Sequence, residues 1–566
     1  MKLKNAFTLL LLFLCVSVFS QNWTSLDSLS GDSDVVVCNF EVSNSRAIYI
    51  NGYARNNTTF KNHVFNNGNR YTNFIAKLDE NLNLIWLKEM PTTTQNMNKL
   101  VLDGSGNIYY VFYTINNCVV SGNNIDYRKG ENIIARLDSN GSVLRVYNFG
   151  DRFLGGVGGY NASSYGISVK NKNFISISFT YNDTAYLAND TLYAPMPNIE
   201  NYAVLNIDSN LNEISHFTVP VSISNIKHSY NGAIYIVGQY IHTGVFNWNN
   251  LNLPSSCSST GYLAKLDSLG NPTWVKYINA VDTCANGQIA YGASFEDLAF
   301  DKNNNVYSTG FYMGNSDYSG TILNHTSTYG FGLNYFFTKI DYWGNISWCK
   351  TLNSPNGSFG RSLVVDSCGN ASVLGTFNIP TASSGSYSLT QQYQSYQEPS
   401  LVVIDYDYNG NTTNMLMGES HLSNYYIKSM YGYPHKNYVI GNCEWYVSHF
   451  SNLSLPSANN YNMVFMASYT PAYGNCNTTE ILNYKTGNNF NLFPVPCNNE
   501  ITVNSERNQE NEMFQIVDVL GNIIETGSIQ SNKAIINTIG FANGVYFLKI
   551  TDAKDLLFSS KIIVAH

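Results

Sequence analysis

Charged side chains are scarce in this sequence. They make up 12% of its 566 residues, about half the share found in an ordinary globular protein. The 31 Lys and Arg are outnumbered by 39 Asp and Glu, and no basic cluster occurs anywhere along the chain. Nucleic-acid binding depends on a dense basic surface, so the sequence predicts no nucleic-acid partner.

Long apolar runs are also missing, with one short exception at the start. Phe7–Val18 is apolar, follows Lys2 and Lys4, and is too short to span a membrane. This arrangement predicts a secretory signal peptide at residues 1–20, cut before Gln21. No later stretch reaches 18 apolar residues, so no transmembrane segment is expected and the chain is predicted to be exported.

The sequence lacks the motifs of most enzymes and metal proteins. It has no Cys-x-x-Cys pair, nucleophile elbow, His-Glu-x-x-His helix or phosphate loop, so no cofactor and no metal are predicted. Asp301-Lys-Asn-Asn-Asn305 resembles the opening of a calcium loop, but it lacks the later Gly and Glu. Nine cysteines remain after cleavage, and their pairing stays open, with Cys257 and Cys284 as one candidate pair.

Tyr, Gly and turn-forming Asn dominate what is present. Tyr and Gly each occur 42 times, which is typical of a β protein with many tight turns. One sequence motif recurs: a predicted strand that ends in Lys or Arg, then an aliphatic residue, then Asp. Its six copies end at Asp79, Asp138, Asp208, Asp267, Asp341 and Asp405. Asp and Asn bond their own backbone in turns, so these Asp residues are predicted to be structural.

Two further signals define a repeating unit of four antiparallel strands. Trp86, Trp274 and Trp348 follow their Asp at a constant offset, and each is followed two residues later by Lys. A strand that ends in Gly precedes each Asp phrase, as at Gly52 and Gly238. Counting such units gives seven, and the last lacks its fourth strand. We therefore predict an all-β, seven-bladed β-propeller at residues 21–471, closed by the N-terminal strand at 21–29.

The repeat resembles the SBBP-type β-propeller repeat of secreted bacterial proteins. The resemblance rests on the Asp-x-x-Gly-Asn-x-Tyr turn and the Lys-Leu-Asp…Trp-x-Lys tail, and it covers about residues 21–470. It is clearest in the first, fourth and fifth units. It implies a fold and little about activity.

The sequence pattern of the repeats ends at a polar linker at residues 472–489, and a different pattern follows it. Residues 490–566 contain Asn491-Leu-Phe-Pro-Val-Pro496, a strand that ends at Gly521, Gly544-Val-Tyr-Phe-Leu-Lys-Ile550 and a terminal Lys561-Ile-Ile563. Their landmark residues are Pro494, Pro496, Asp518, Gly521, Gly544, Tyr546, Lys549 and Lys561. The segment resembles the type A sorting domain of the type IX secretion system of Bacteroidetes. The resemblance implies a small β-sandwich, contact with the outer-membrane secretion machinery, and a cell-surface or extracellular destination. An ordinary C-terminal β-sandwich that binds a ligand is the alternative.

The long loops between the second and third strands of each unit carry aromatic and amide side chains. Loops on a rigid scaffold often hold function, so Trp248, Glu444 and Trp445 are predicted ligand contacts. Such aromatics could equally cap the edges of the blades. The sequence favours a binding or scaffold protein, such as an adhesin, with a glycan or protein ligand. A polysaccharide hydrolase or lyase that uses Glu296 and Glu444, and a structural part of a surface assembly, remain alternatives.

Overall fold

The computed structural model divides into two compact units, Met1–Cys476 and Asn477–His566. The described residues contain strands and turns and no helix. They are 22–30, 34–55, 57–66, 71–90, 99–114, 118–120, 123–125, 131–151, 164–171, 173–181, 184–194, 201–241, 245–254, 259–281, 292–325, 332–378, 380–392, 399–430, 436–451, 453–455, 463–473, 490–505, 512–518, 523–551 and 556–566. The predicted signal peptide, most of the predicted linker and Gly521 lie outside these residues.

The first compact unit consists of successive four-stranded antiparallel repeats. The strand β1 (Ser25–Ser30) comes first and belongs to the last repeat. The strands of repeats 1 to 3 are β2 (Val35–Val42), β3 (Ile48–Arg55), β4 (Thr59–Phe60), β5 (His63–Val64), β6 (Tyr71–Leu78), β7 (Leu84–Met90), β8 (Lys99–Leu102), β9 (Ile108–Thr114), β10 (Cys118–Val120), β11 (Asn123–Ile125), β12 (Glu131–Leu137), β13 (Val143–Asp151), β14 (Ser164–Asn171), β15 (Phe174–Tyr181), β16 (Thr184–Tyr186), β17 (Thr191–Tyr193), β18 (Asn201–Ile207) and β19 (Glu213–Val219).

The remaining strands of this unit form repeats 4 to 7. They are β20 (Ser222–His228), β21 (Ile234–Tyr240), β22 (Phe246–Trp248), β23 (Leu251–Leu253), β24 (Thr260–Leu266), β25 (Pro272–Ala280), β26 (Ser294–Phe300), β27 (Val306–Met313), β28 (Ser316–Tyr318), β29 (Thr321–Leu323), β30 (Leu333–Ile340), β31 (Ile346–Thr351), β32 (Ser358–Val365), β33 (Ala371–Phe377), β34 (Thr381–Ser384), β35 (Tyr387–Thr390), β36 (Ser400–Tyr406), β37 (Thr412–Met430), β38 (Lys436–Phe450), β39 (Leu453–Leu455) and β40 (Met463–Tyr469).

Each repeat has the same strand order, and the repeats form a ring. Repeat 1 is ordered β2-β3-β6-β7, and the later repeats follow this pattern. The long strand β37 ends repeat 6 and begins repeat 7, and β1 pairs with β40 as the outer strand of repeat 7. The inner strands lie side by side in the order β2, β8, β14, β20, β26, β32, β37 and back to β2. The predicted all-β propeller is confirmed, and these pairings support the proposed seven blades and N-terminal closure.

Packing between repeats explains the abundance of Tyr. The second and third strands of the repeats are buried on both faces, so they are largely apolar. The largest fully buried side chains are all Tyr, at positions 49, 109, 110, 181, 235, 262, 307, 312, 318, 335, 406 and 469. Each apolar cluster joins neighbouring repeats, as where Tyr49 and Ile75 of repeat 1 pack with Leu100 and Tyr110 of repeat 2.

The turn Asp residues are structural, as predicted. At Asp341, one carboxylate oxygen accepts hydrogen bonds from the N–H groups of Trp343 (3.0 Å) and Asn345 (2.7 Å). The other accepts from the Asn345 amide at 2.8 Å. The carbonyl of Asp341 accepts from Gly344 N–H at 3.0 Å. The same backbone bonds recur at Asp79, Asp103, Asp138, Asp208, Asp267, Asp301, Asp366 and Asp407.

The sixth repeat requires a correction. Asp407 closes its turn, and Asp405, the residue predicted for this role, lies two positions earlier and is fully buried in β36. Asp405 stands where repeat 1 has Lys77, because the strand ends Tyr406-Asp407 as repeat 1 ends Leu78-Asp79. It accepts hydrogen bonds from Ser372 (2.6 Å), Tyr469 (2.9 Å) and other donors, while burial raises the pKa of its carboxyl.

Trp side chains of the repeat pack on the turn of the following repeat. Trp274 of repeat 4 donates from its indole to the Tyr342 carbonyl (3.2 Å) and covers Gly344, whose φ is +94°. Trp86 covers Gly141 and Trp348 covers Gly410 in the same way. Where the preceding strand has Arg145 in place of this Trp, the turn has Leu211 in place of Gly. The absence of the large Trp on one side of a junction between repeats is thus compensated by a larger residue on the other side.

Three of the long loops form hairpins that pair with the preceding repeat. The hairpin β28–β29 of repeat 5 extends the sheet of repeat 4 through Ile278↔Tyr318 and two further pairs. The hairpin β16–β17 joins β13 through Gly150↔Tyr186, and Asn353↔Ser383 links repeats 5 and 6. These hairpins cover strand edges that would otherwise be open.

The second compact unit is a small β-sandwich. One sheet has the order β41 (Phe490–Phe493), β42 (Glu500–Ser505) and β45 (Lys533–Asn537). The other has the order β44 (Ile523–Ser528), β43 (Met513–Val517), β46 (Gly544–Thr551) and β47 (Leu556–Val564). Side chains of both sheets share one apolar core, which includes Ile501 and Leu548. A search of the described residues for a helix of membrane-spanning length and hydropathy finds none.

Candidate functional site: an aromatic surface on the Asp turns

The predicted loop residue Trp248 lies in the core between repeats 3 and 4. It ends strand β22, is 5% exposed, and contacts Tyr262 edge to face at 5.8 Å between ring centroids. It therefore caps the edge of the blade and presents little surface to a ligand. The backbone of Glu444 and Trp445 lies in β38, where Glu444 is opposite His421. Their side chains lie outside the described residues, so their predicted roles stay predictions.

Glu296, the other candidate acid, is held in an ion pair. It lies at a bulge in β26, and its carboxylate is 3.2 Å from Arg361 at the equivalent bulge of β32. The neighbouring Asp297 accepts from Lys227 (2.6 Å) and Ser362 (3.1 Å). These contacts tie the inner strands of repeats 4, 5 and 6 together. Within the described ranges, no three His, Cys, Asp or Glu side chains are grouped as metal ligands.

A different group of side chains is open to a ligand. The turns of repeats 4 to 6 present aromatic rings at their tips: Tyr230 is 67% exposed, Trp343 is 76% exposed and Tyr408 is 54% exposed. Tyr342, next to Trp343, is half-buried. We call Tyr230, Tyr342, Trp343 and Tyr408 the aromatic turn surface.

The turn that carries Trp343 is rigid. Asp341 binds the N–H of Trp343, and the ring of Trp343 meets that of Tyr342 edge to face, with centroids 5.9 Å apart. Lys265 of the preceding repeat donates to the Tyr342 carbonyl (3.2 Å), and its Nζ lies 3.1 Å from the centre of the Tyr342 ring. The hydrogen bond and charge of Lys265 lower the pKa of Tyr342. Trp343 therefore projects from a support that is fixed before any ligand arrives.

Contacts between repeats connect the other members of the surface. The Asn231 side chain, next to Tyr230, is the smallest of the causes that lower the pKa of Tyr342, so the turn of Tyr230 lies near that of Trp343. Asn231 N–H also donates to the Asn304 side chain at 2.8 Å. Lys339 donates to the Tyr408 carbonyl (3.3 Å), and its Nζ lies 5.3 Å from the centre of the Tyr408 ring. The aromatic rings are thus mounted on one linked set of turns.

Turn geometry does not require these aromatic residues. The equivalent turns of repeats 2 and 3 have Ser139-Asn140 and Ser209-Asn210 where repeat 5 has Tyr342-Trp343, and they make the same backbone hydrogen bonds. Exposed aromatic surface is unfavourable in water, and grouped exposed apolar side chains mark binding sites. The chemistry available is ring stacking flanked by amide and hydroxyl hydrogen bonds.

Sequence reasoning missed this surface because it placed function on the long loops. A signal was present, however. Aligning the turns on Asp shows aromatic residues in repeats 5 and 6 at positions that hold Ser, Asn or Glu in repeats 1 to 3. Tyr230 was harder to find, since its turn begins with Ser229 in place of Asp.

The sorting landmarks fall on the second compact unit. Pro494 and Pro496 follow β41, and Asp518 follows β43. Gly544, Tyr546 and Lys549 lie on β46, and Lys561 lies on β47, opposite Phe547. Tyr546 packs in the core and donates from its hydroxyl to the Ala542 carbonyl at 2.9 Å.

Comparison with known proteins identifies the second unit. Residues 491–565 match the family of the secretion system C-terminal sorting domain. The sorting-domain prediction is therefore confirmed for this segment, and it implies contact with the type IX secretion machinery and export to the cell surface or beyond. The chain is a β-propeller protein that carries a secretion sorting domain. No curated protein matches it.

Solved structures similar to the chain are distant. The WD40 domain of Neurospora crassa Pan2 is 11% identical, with a TM-score of 0.36, over 80% of this chain and 96% of that domain. BamB from Moraxella catarrhalis is 9% identical, with a TM-score of 0.33, over 79% of this chain and 99% of that one. A Dyadobacter fermentans protein of unknown function is 9% identical, with a TM-score of 0.35, over 80% of this chain and 99% of that one.

Proposed function

We propose that this protein is an exported glycan-binding scaffold of the adhesin type, with SBBP-like repeats, a cleaved signal peptide, and the aromatic turn surface as its binding site. The observation that carries the proposal is Trp343, a 76% exposed ring on a hydrogen-bonded turn of repeat 5, with exposed Tyr230 and Tyr408 on turns of the neighbouring repeats 4 and 6. Aromatic rings stack on the apolar C–H faces of sugars, and neighbouring amides bond sugar hydroxyls. A rigid support lowers the entropic cost of binding.

The charges near the surface favour neutral over ionic ligands. Lys265 and Lys339 lie behind the rings and donate to carbonyls of their own fold. The carboxylate of Asp341 already accepts three hydrogen bonds within its own turn. The groups left to face a ligand are chiefly aromatic faces and amides, which suit neutral hexose or N-acetylhexosamine units.

Glycan-array screening of the full chain, followed by calorimetric titration of the hits, tests this proposal. Trp343→Ala should weaken binding at least about tenfold, the equivalent of about 1.4 kcal/mol. Tyr193→Ala is the matched control, because Tyr193 is also 76% exposed but lies on the hairpin β16–β17 of repeat 3. Unchanged affinity in the Trp343 variant, or an equal loss in both variants, would reject the assigned surface.

A further inference from the structure

The outer face of the three-stranded sheet in the second compact unit carries two exposed apolar side chains. Phe493 at the end of β41 is 50% exposed, and Ile535 in the middle of β45 is 57% exposed. Thr502 of β42 lies between them, because it pairs with Phe493 on one side and with Ile535 on the other. Directly paired residues have their side chains on the same face of a sheet, so the three form one row. We call Phe493, Thr502 and Ile535 the sorting strip.

The sorting strip is continuous across the sheet. Its middle residue, Thr502, is only 6% exposed although it lies on the outer face. Phe493 and Ile535 flank it at the spacing of paired residues, about 4.5–5.5 Å between Cβ atoms, so they shield it from water. A ligand that meets this face therefore meets one apolar row that crosses all three strands.

The core of the unit does not use the two apolar side chains of the strip. The core takes Phe490 from β41 and Ile536 from β45, which point to the opposite side of the sheet from Phe493 and Ile535. Large apolar side chains are unfavourable in water, and when they are grouped on a surface they mark an interaction site. The fold thus leaves the strip available to a partner.

The outer face of the four-stranded sheet offers a weaker apolar surface. Phe547 is half-buried there, and the charged Lys561 stands directly opposite it on β47. Met513 is 48% exposed, but its paired neighbours are Ser528 and Thr551. It is a single exposed side chain among polar residues, which is ordinary for a protein surface.

Polar residues border the sorting strip on both sides along the strands. The next outward pair on one side is Asn504 and Lys533, and on the other side it is Glu500 and Asn537. An apolar centre with an aromatic residue and a polar rim is the usual anatomy of a protein–protein interface. The strip therefore fits a protein partner with an apolar groove.

The family match of residues 491–565 supplies the occupant. A secretion sorting domain acts through recognition by the secretion machinery, and that recognition needs a surface that the fold leaves open. We propose that the sorting strip is the surface by which this domain docks on the outer-membrane secretion machinery. The proposal rests on the sorting assignment, and it is independent of the glycan surface on the first unit.

Cell fractionation of strip variants of the full chain, expressed in a bacterium with type IX secretion, tests this. Phe493→Asn and Ile535→Asn should each lower delivery to the surface at least about tenfold and retain the protein in the periplasm. Met513→Asn is the matched control, because it removes a similarly exposed apolar side chain outside the strip. Denaturant unfolding of each purified variant should give an unchanged midpoint, since the replaced side chains are half exposed or more.

The outcomes separate the strip from its alternatives. Normal delivery of both strip variants, or an equal loss in Met513→Asn, overturns the proposal. A lowered unfolding midpoint in the strip variants would show that the chain itself covers the strip, and a change from dimer to monomer in gel filtration would show that a second copy covers it. Either result also overturns the proposal. Retention of a chain that lacks residues 490–566, together with normal delivery of the strip variants, would reject the strip and leave the sorting role standing.

Discussion

The exchange of volume between repeats can be tested at Trp274 and Gly344. A Cβ on Gly344 would lie 2.9–3.1 Å from three atoms of the Trp274 indole, closer than real Cβ contacts allow without a shift. The glycine also has a φ of +94°, which disfavours alanine by about 1–2 kcal/mol. Displacing the ring loses its edge-to-face contact with Tyr235 at 5.7 Å and its bond to the Tyr342 carbonyl.

Gly344→Ala should therefore destabilise the propeller by about 2–4 kcal/mol, the sum of the backbone and packing terms. Gly320 isolates the backbone term, because its φ is +99° and, beyond its chain neighbours, no atom lies within 4 Å of the position that a Cβ would take. Gly320→Ala should cost only about 1–2 kcal/mol. Denaturant unfolding of the full chain, followed by circular dichroism, measures both values through the shift of the midpoint.

A double-mutant cycle then tests whether the ring is the cause. Trp274→Ala removes the side chain that the new methyl group would strike. In that background, Gly344→Ala should cost about as much as Gly320→Ala, which gives a coupling energy of about 1–2 kcal/mol. Equal costs for the two glycine variants, or strict additivity in the cycle, would refute the packing argument.

Three further results are expected. Burial first, and the charge of Lys170 second, lower the pKa of His228 to about 4, so its imidazole is neutral when folded and protonates more readily when unfolded. Stability should be complete above pH 6.5 and fall by roughly 3 kcal/mol as the pH drops to 4, and a His228→Asn protein titrated alongside should lack this component. Lys227→Met should cost about 1–3 kcal/mol by leaving Asp297 short of its ammonium partner, whereas an unchanged unfolding midpoint would contradict that role. Deleting residues 490–566 should retain the protein in the periplasm, and cell fractionation that finds normal surface delivery would contradict the sorting role.

The repeat could be read from the sequence because its turn chemistry is local. Asp and Asn four residues apart close the same turn in most copies, so their spacing is kept whatever packs around them. The sixth copy was misassigned because Asp405 and Asp407 are two residues apart, the first in β36 and the second in the turn after it. Only the pairing with Ser372 and Tyr469 shows that Asp405 faces the core.

The contacts between repeats could not be predicted in this way. Trp86 was recognised by its spacing, but its partner Gly141 lies in the next repeat, and the sequence does not state which turn faces which strand. Trp23 shows the same difficulty. It lies two residues before the register of the repeating Trp, which Ser25 occupies, and its ring is buried against Phe450 and Tyr469.

The aromatic turn surface can be recognised by separating the turn positions that the fold requires from those that it leaves free. The fold requires Asp and a residue in the left-handed region in these turns, usually followed by Asn, and it leaves the two residues after Asp free. Repeats 2 and 3 fill these free positions with Ser and Asn, which suit water, while repeat 5 fills them with Tyr342 and Trp343. Aromatic residues that the fold does not need, on the turns of neighbouring repeats, are the pattern that supports the proposed binding surface. In a repeat protein, function is therefore best sought at positions where copies differ without any structural reason, and here those positions gather on repeats 4 to 6.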